Sequence, residues 1–372
     1  CPTPRPHRFE MKTRLFALVT LFSMACLAFG ADAPGMLRVL TYDRTIPREV
    51  CVSFAEKTGV GVDVTTAISS MKAADLLYQK KAPFDLLILA NDVVVGMRQS
   101  GKLQAFDHKK IPTSSKLKSH WREAAGDVRG QFRLPFDIAS MGLLVDRRIN
   151  QPAVNGCMDA FRKPRPGGVA VMVDQRDFLA AALLSLGASV NDLSPENLRA
   201  AGVVLRDWLR NTAPTSAGIW SGNHVSAFNS IRDDLVKGRH GAALLYSGDA
   251  ITLMTQFPGR YEWINPVEGS LKYMTVFAIP KDSTRPDAAH AFIEFLLDPK
   301  IASQIVTAPG FGIPLTAPWS KMPLNFFGNP AEMNASQLMD SFSVQADITR
   351  EPRQELEALF QSLPPPSAPP AP

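Results

Sequence analysis

Residues 241–254 read GAALLYSGDAITLM: an apolar run ending at Tyr246, then Ser247-Gly248-Asp249, then the start of a helical pattern. A short continuous apolar run bounded by a break reads as a buried strand, and a strand handing over to a helix is half of an α/β unit. The Ser-Gly pair is expected to re-aim the chain at the strand's carboxyl end, with Asp249 placed to cap the helix that follows. Ligands of open α/β sheets bind outside the carboxyl ends of strands, so Asp249 and Tyr246 are equally placed to line a crevice. These residues alone leave both readings open.

The same grammar extends outward. Apolar runs at 37–42 (LRVLTY), 60–66 (VGVDVTT), 84–90 (FDLLILA), 142–146 (GLLVD), 167–173 (GGVAVMV) and 274–280 (MTVFAIP) alternate with helical patterns such as PREVCVSFAEKTG, SPENLRAAGVVLRDWLRN and RPDAAHAFIEFLLDPKIASQI. Buried strands alternating with amphipathic helices predict an α/β protein with mostly parallel sheets. Ser194 before Pro195 and Glu196 marks one helix start, and Gly59 and Gly238 mark two helix ends. A chain of 372 residues exceeds the size at which one core usually stops growing, which predicts two domains. The Pro-rich end, 364–372, is expected to be a disordered tail.

Met11 opens MKTRLFALVTLFSMACLAFGADAPG, with Lys12 and Arg14 before an apolar run and Ala28-Phe29-Gly30 supplying small residues at a cleavage pattern. Residues 11–30 are therefore expected to be a secretory signal peptide, with the mature chain starting near Ala31, and residues 1–10 a non-native or misassigned extension. Cys26 lacks an aliphatic residue three positions before it, which disfavours a lipoprotein. Cys51 and Cys157 then remain, and two free thiols are expected despite an oxidising compartment. Residues 1–30 hold four Lys or Arg and one Glu, so the formal +5 of the whole chain falls to about +2 without them. No basic block with interleaved aromatics remains to serve nucleic acid. The six histidines stand singly, with no His-x-x-x-His or Cys-x-x-Cys spacing, no Gly-x-Ser-x-Gly elbow and no phosphate-cradling loop. An enzyme, a metal site and a cofactor all lack support.

Seven segments, read in order, resemble the spermidine/putrescine receptors among the periplasmic binding proteins of bacterial ABC transporters (type II fold). They are LRVLTYDRTIPREVCVSFAEKTGVGVDV, FDLLILANDVVVGMRQSGKLQAFD, RLPFDIASMGLLVD, MVDQRDFLAAALLSLGASVND, KGRHGAALLYSGDA, VEGSLKYMTVFAIPKDSTRPDAAHAFIEFLLDPKIASQI and PGFGIPL. The resemblance implies two α/β lobes joined by a hinge of strands, lobe 1 being 31–137 plus 272–307 and lobe 2 being 138–271 plus 308–363. It implies a monomeric periplasmic receptor that captures a polyamine or related cationic amine between the lobes and delivers it to ABC permease subunits. The alternatives are a receptor of the same fold for an amino-acid derivative or ferric ion, or a sensory or scavenging receptor. The tyrosines are isolated, whereas ferric receptors usually use adjacent ones.

A polyamine is a string of ammonium groups on a methylene stem, so its pocket needs carboxylates for the charges and aromatic walls for the stem. By the resemblance, Asp249 falls on the family's Gly-Asp acid, Tyr246 on the aromatic ending the preceding strand, and Asp174 and Asp177 on a pair of acids. Tyr42 followed by Asp43 stands where the family often has tryptophan, and Trp220 is a further wall. Asp92 replaces an aromatic, and Thr275 replaces an acid that grips an ammonium. Asp137 stands just before the segment Ile138–Gly142, so two acids are expected to have moved. Against these roles, Asp174 with Asp177 reads equally as a helix cap with a first-turn acid, Asp92 as a cap, Trp220 as a loop cover, and Tyr42, Tyr246 and Tyr273 as core aromatics.

Overall fold

The computed structural model describes residues 35–42, 45–67, 69–78, 83–117, 122, 126–127, 129–149, 153–217, 224–307, 342–343 and 352–367. The signal segment, Cys26, Asp43, Trp220 and the PGFGIPL stretch lie outside them. In the first part of the chain β1 (Leu37–Tyr42), α1 (Arg48–Thr58), β2 (Val62–Ala67), α2 (Ser70–Tyr78), β3 (Leu86–Ala90) and α3 (Asn91–Gln99) alternate as the apolar runs require. β1 lies parallel between β2 and β3. Gly59 closes α1 at φ 74°, a left-handed turn that a side chain would strain.

After the short β4 (Leu103–Gln104) comes β5 (Leu134–Asp146), then α4 (Cys157–Arg162), β6 (Val169–Val171), α5 (Gln175–Ser185), α6 (Pro195–Trp208), α7 (His224–Val236) and β7 (Ala242–Tyr246). The chain continues through α8 (Ser247–Gln256), β8 (Tyr261–Ile264), β9 (Ser270–Pro280), α9 (Pro286–Leu296), α10 (Pro299–Thr307), β10 (Phe342–Ser343) and α11 (Arg353–Ser362). The strands run in the order β2-β1-β3-β9-β5-β7-β6. β5 and β9 are antiparallel partners and belong to both halves. The later residues of β9 pair with β3, while the later residues of β5 pair with β7 and β8. Two extended strands thus carry the chain between two α/β lobes, a hinge made of strands, with parallel pairs β1–β2, β1–β3 and β6–β7 on either side.

Three apolar clusters hold this frame. Leu37, Phe54, Ile88, Phe277 and Phe292 pack within lobe 1. Met141, Val171, Phe178, Trp208 and Leu244 pack within lobe 2, where the Phe161 and Trp208 rings stack at 4.7 Å. The third joins Leu40, Leu89 and Val276 of one half to Leu144, Leu245 and Trp263 of the other, with Met274 between them. Cys51 is half-buried in α1 and Cys157 is buried where α4 opens, and both are free thiols. The α4 start is held by Glu268, which accepts from the Cys157 and Met158 N–H groups at 3.1 and 2.8 Å.

Two local expectations change. β7 runs into α8 with no intervening turn: Ser247 is already helical, Tyr246 occupies the cap position without a side-chain cap bond, and Asp249 lies inside the first turn. Asp249 is therefore not the N-cap. Its acid still favours the positive end of the helix dipole. The tail differs at its beginning, where Pro366 is buried and the Ser367 N–H donates to Leu209 O at 2.9 Å. The preceding α11 lays Leu356, Leu359 and Phe360 on the lobe-2 core, which carries the chain end onto the surface of that lobe. Residues 368–372 lie outside the described ones.

Candidate functional site

On the lobe-2 side, Asp174 follows β6 and caps α5, accepting the Asp177 N–H at 2.9 Å. The cap reading of Asp174 is thus correct, and it aims the helix so that Asp177 turns inward. Asp177 is buried, and its carboxylate accepts the Tyr246 hydroxyl at 2.5 Å. Tyr246 in turn accepts the Asp174 N–H at 3.3 Å, and its ring meets Tyr273 edge-to-face at 5.2 Å. Burial first, and the neighbouring Asp174 charge second, push the Asp177 carboxyl well above the ordinary carboxylate range. Both phenols are likewise pushed up, by burial and then by the charge of Asp177. The arrangement is an acid pair fenced by two tyrosines, a site that favours added positive charge.

On the lobe-1 side, Tyr42 ends β1. Its hydroxyl lies 3.0 Å from Ser70 Oγ and accepts the Ala90 N–H at 3.2 Å. Asp92 is buried in the first turn of α3, whose start carries no side-chain cap bond from Ala90. Burial and then Asp92 push the Tyr42 phenol up, and the charge of Asp174 from the other lobe adds to the effect. The two halves of the site therefore share one field. Thr275 sits in β9 directly between Ala90 of β3 and Asp137 of β5. Asp137 is 6% exposed and faces Thr275, and burial pushes its carboxyl up to about 6 while the Thr275 hydroxyl and N–H act in the opposite direction.

Of the residues singled out in the sequence, Tyr42, Asp92, Asp174, Asp177 and Tyr246 are linked by these bonds and fields, and Thr275 adjoins them through Ala90. Asp249 stands half-buried at the end of β7, three residues past Tyr246. Sequence reasoning left Tyr273 as a core aromatic and missed Ser70 altogether. The signal for Tyr273 was available in the period of two that sets it on the same face of β9 as Thr275. Ser70 carried none, because its role depends on where the Tyr42 hydroxyl ends. Among the described residues, no group of three or more His, Cys, Asp or Glu could hold a metal ion. None of their helices is long and apolar enough to cross a membrane.

Comparison with known proteins agrees with this architecture. Residues 49–318 match the family described as bacterial extracellular solute-binding protein. The spermidine/putrescine-binding periplasmic protein of Escherichia coli (strain K12) is 25% identical over 304 residues, covering 79% of this chain and 83% of that protein. A putrescine-binding periplasmic protein of Pseudomonas aeruginosa is 24% identical over 316 residues, covering 80% and 83%. Among solved structures, the TpPotD lipoprotein of Treponema pallidum superposes with a TM-score of 0.69 at 20% identity, over 88% of this chain and 98% of that one. The spermidine/putrescine substrate-binding protein PotD of Streptococcus pneumoniae gives 0.66 at 19%, with the same coverage.

Proposed function

Since the chain belongs to the bacterial extracellular solute-binding protein family, we propose that it is a periplasmic receptor that closes on a polyamine or related small cationic amine and delivers it to an ABC permease. The observation carrying this reading is the convergence of buried acids and phenols from both lobes, with the Asp174 charge felt at Tyr42. Relatives described as polyamine-binding support it. The protein acts as a monomeric carrier and not an enzyme. Its chain is exported through the signal segment 11–30, and its lobes divide at 137/138 and 271/272.

In this mechanism Asp174, Asp177 and Asp249 offer their carboxylates from lobe 2, Tyr42, Asp92 and Thr275 receive the ligand from lobe 1, and Tyr246 with Tyr273 forms an aromatic wall for the stem. An ammonium beside Asp177 restores the charge that burial disfavours, so binding draws a proton off this carboxyl. A ligand shared by both faces is better satisfied when the lobes meet, which makes closure the bound state. A thermal-shift screen tests the reading. Putrescine, spermidine, cadaverine or agmatine should raise the melting temperature, since a ligand that binds only the folded state stabilises it. A rise with amino acids or ferric ion and none with any amine would sink it.

A further inference from the structure

Asp137 lies on a strand that both lobes share, between the stretches of its face that feed the two lobe cores. Cross-strand partners project to the same side of a sheet. On that side Leu134 and Phe277 belong to the lobe-1 core, Met141 and Leu271 belong to the lobe-2 core, and the Asp137–Thr275 pair stands between them. On the same face the next partners are Ala139 and Tyr273, two rungs along the ladder, and Tyr273 is the ring that meets Tyr246. In the other direction, Ala90 beside Thr275 donates its N–H to Tyr42, and Asp92 is two residues further on. The register shifts between Pro135 and Asp137, a bulge that lets Phe136 pack on Phe277 at 4.9 Å while Asp137 faces Thr275. Bulges of this kind re-aim side chains beside functional sites.

The chemistry of the position points the same way. The groups that act on the Asp137 carboxyl are the Thr275 hydroxyl and N–H, and no cationic side chain among the described residues contributes. A buried acid needs a positive partner to hold its charge. A purely structural bond to a hydroxyl and an amide asks only for a neutral acceptor, which asparagine would supply.

We propose that Asp137 is a further ligand-binding residue, which takes one ammonium group of the amine at the floor between the lobes, beside Thr275. This rests on the receptor reading above. Because Asp137 and Thr275 are register partners, the position of the acid across this pair sets how far apart the receptor's charges lie, and hence which amine length it prefers. Neighbouring cross-strand side chains are about 5 Å apart, of the order of a few methylene groups.

Calorimetry with putrescine, cadaverine and spermidine on the parent, Asp137→Asn and the exchanged pair Asp137→Thr with Thr275→Asp tests this. We expect Asp137→Asn to weaken binding at least about tenfold with no fall in the ligand-free melting temperature. The exchanged pair should recover affinity relative to Asp137→Asn and change the preference between putrescine and cadaverine. Asp137→Asn binding within about twofold of a parent that does bind overturns the proposal and leaves the receptor reading standing. If the parent itself binds no amine, both fall.

Discussion

Asp249 is the residue at which position and charge separate most cleanly, because it stands in the first turn of α8 without being its cap. Asp249→Asn keeps the shape of the side chain and removes its charge. If that charge meets a buried ammonium, the loss is of order 3 to 5 kcal/mol. Amine affinity should then drop by roughly two to three orders of magnitude by calorimetry, while the ligand-free melt moves little. Asp137 gives the opposite signature in the empty protein. Its folded-state value of about 6 lies above the ordinary 3.8, so the native state holds the proton more tightly than the unfolded chain does. Its ionised form therefore opposes folding above about pH 6, and that penalty is relieved as pH falls toward 4. The gap corresponds to an upper bound of about 3 kcal/mol. Asp137→Asn should raise ligand-free stability at pH 7.5 and flatten its rise between pH 7 and pH 5, read by urea unfolding at each pH. The strand-end positions of Asp174 and Asp249 were legible in the sequence, because charge beside a strand end is a local signal. That Asp137 confronts Thr275 was not, since register between strands far apart in the chain is written in no local pattern.

At the scale of elements, the strands that pack inside one lobe were readable, and of the two that join the lobes β9 was readable over 274–280 while most of β5 was not. β3 and β7 are continuous apolar runs and β1 is one broken by Arg38 and Thr41, and their patterns announce them. β5 is interrupted by Pro135, Asp137 and Ser140, and only its GLLVD end reads as a strand. Proline lacks a ladder donor, and it is tolerated here at a register shift. The polar residues of β5 are buried, Asp137 facing Thr275 and the Ser140 N–H donating to Ser247 Oγ at 3.1 Å. The packed start of the tail was not legible for a related reason: residues 364–367 have no packing pattern of their own, and the preceding α11 brings Pro366 and the Ser367 N–H onto lobe 2. That helix packs on lobe 2 through Leu356, its buried side chain, flanked by the partly buried Leu359 and Phe360. Leu356→Ala should cost about 2 to 4 kcal/mol, seen as a lower urea midpoint. Amine affinity should change far less than stability, because Leu356 packs on the lobe-2 core and its loss leaves the helix's tie to lobe 1, the Arg353–Asp75 ion pair, in place.

At the scale of the whole molecule, closure is the motion that the shared strands permit. Small-angle scattering should give a smaller radius of gyration with putrescine bound than without it, and an unchanged radius with saturating ligand would exclude lobe closure as the binding step. The crossing strands also govern how the polypeptide comes into being. Lobe 1 needs β9 to complete its sheet beside β3, and β9 begins only at Ser270. A growing chain ending at residue 269 has made β1, β2 and β3 but lacks the strand that pairs with β3, together with α9, which supplies Ala289, Phe292 and Ile293 to their core. Such a fragment should be cut rapidly by protease where the full chain resists. Until roughly the last quarter of the sequence has been delivered, lobe 1 lacks both an edge of its sheet and part of its core, and that half of the polypeptide stays slack.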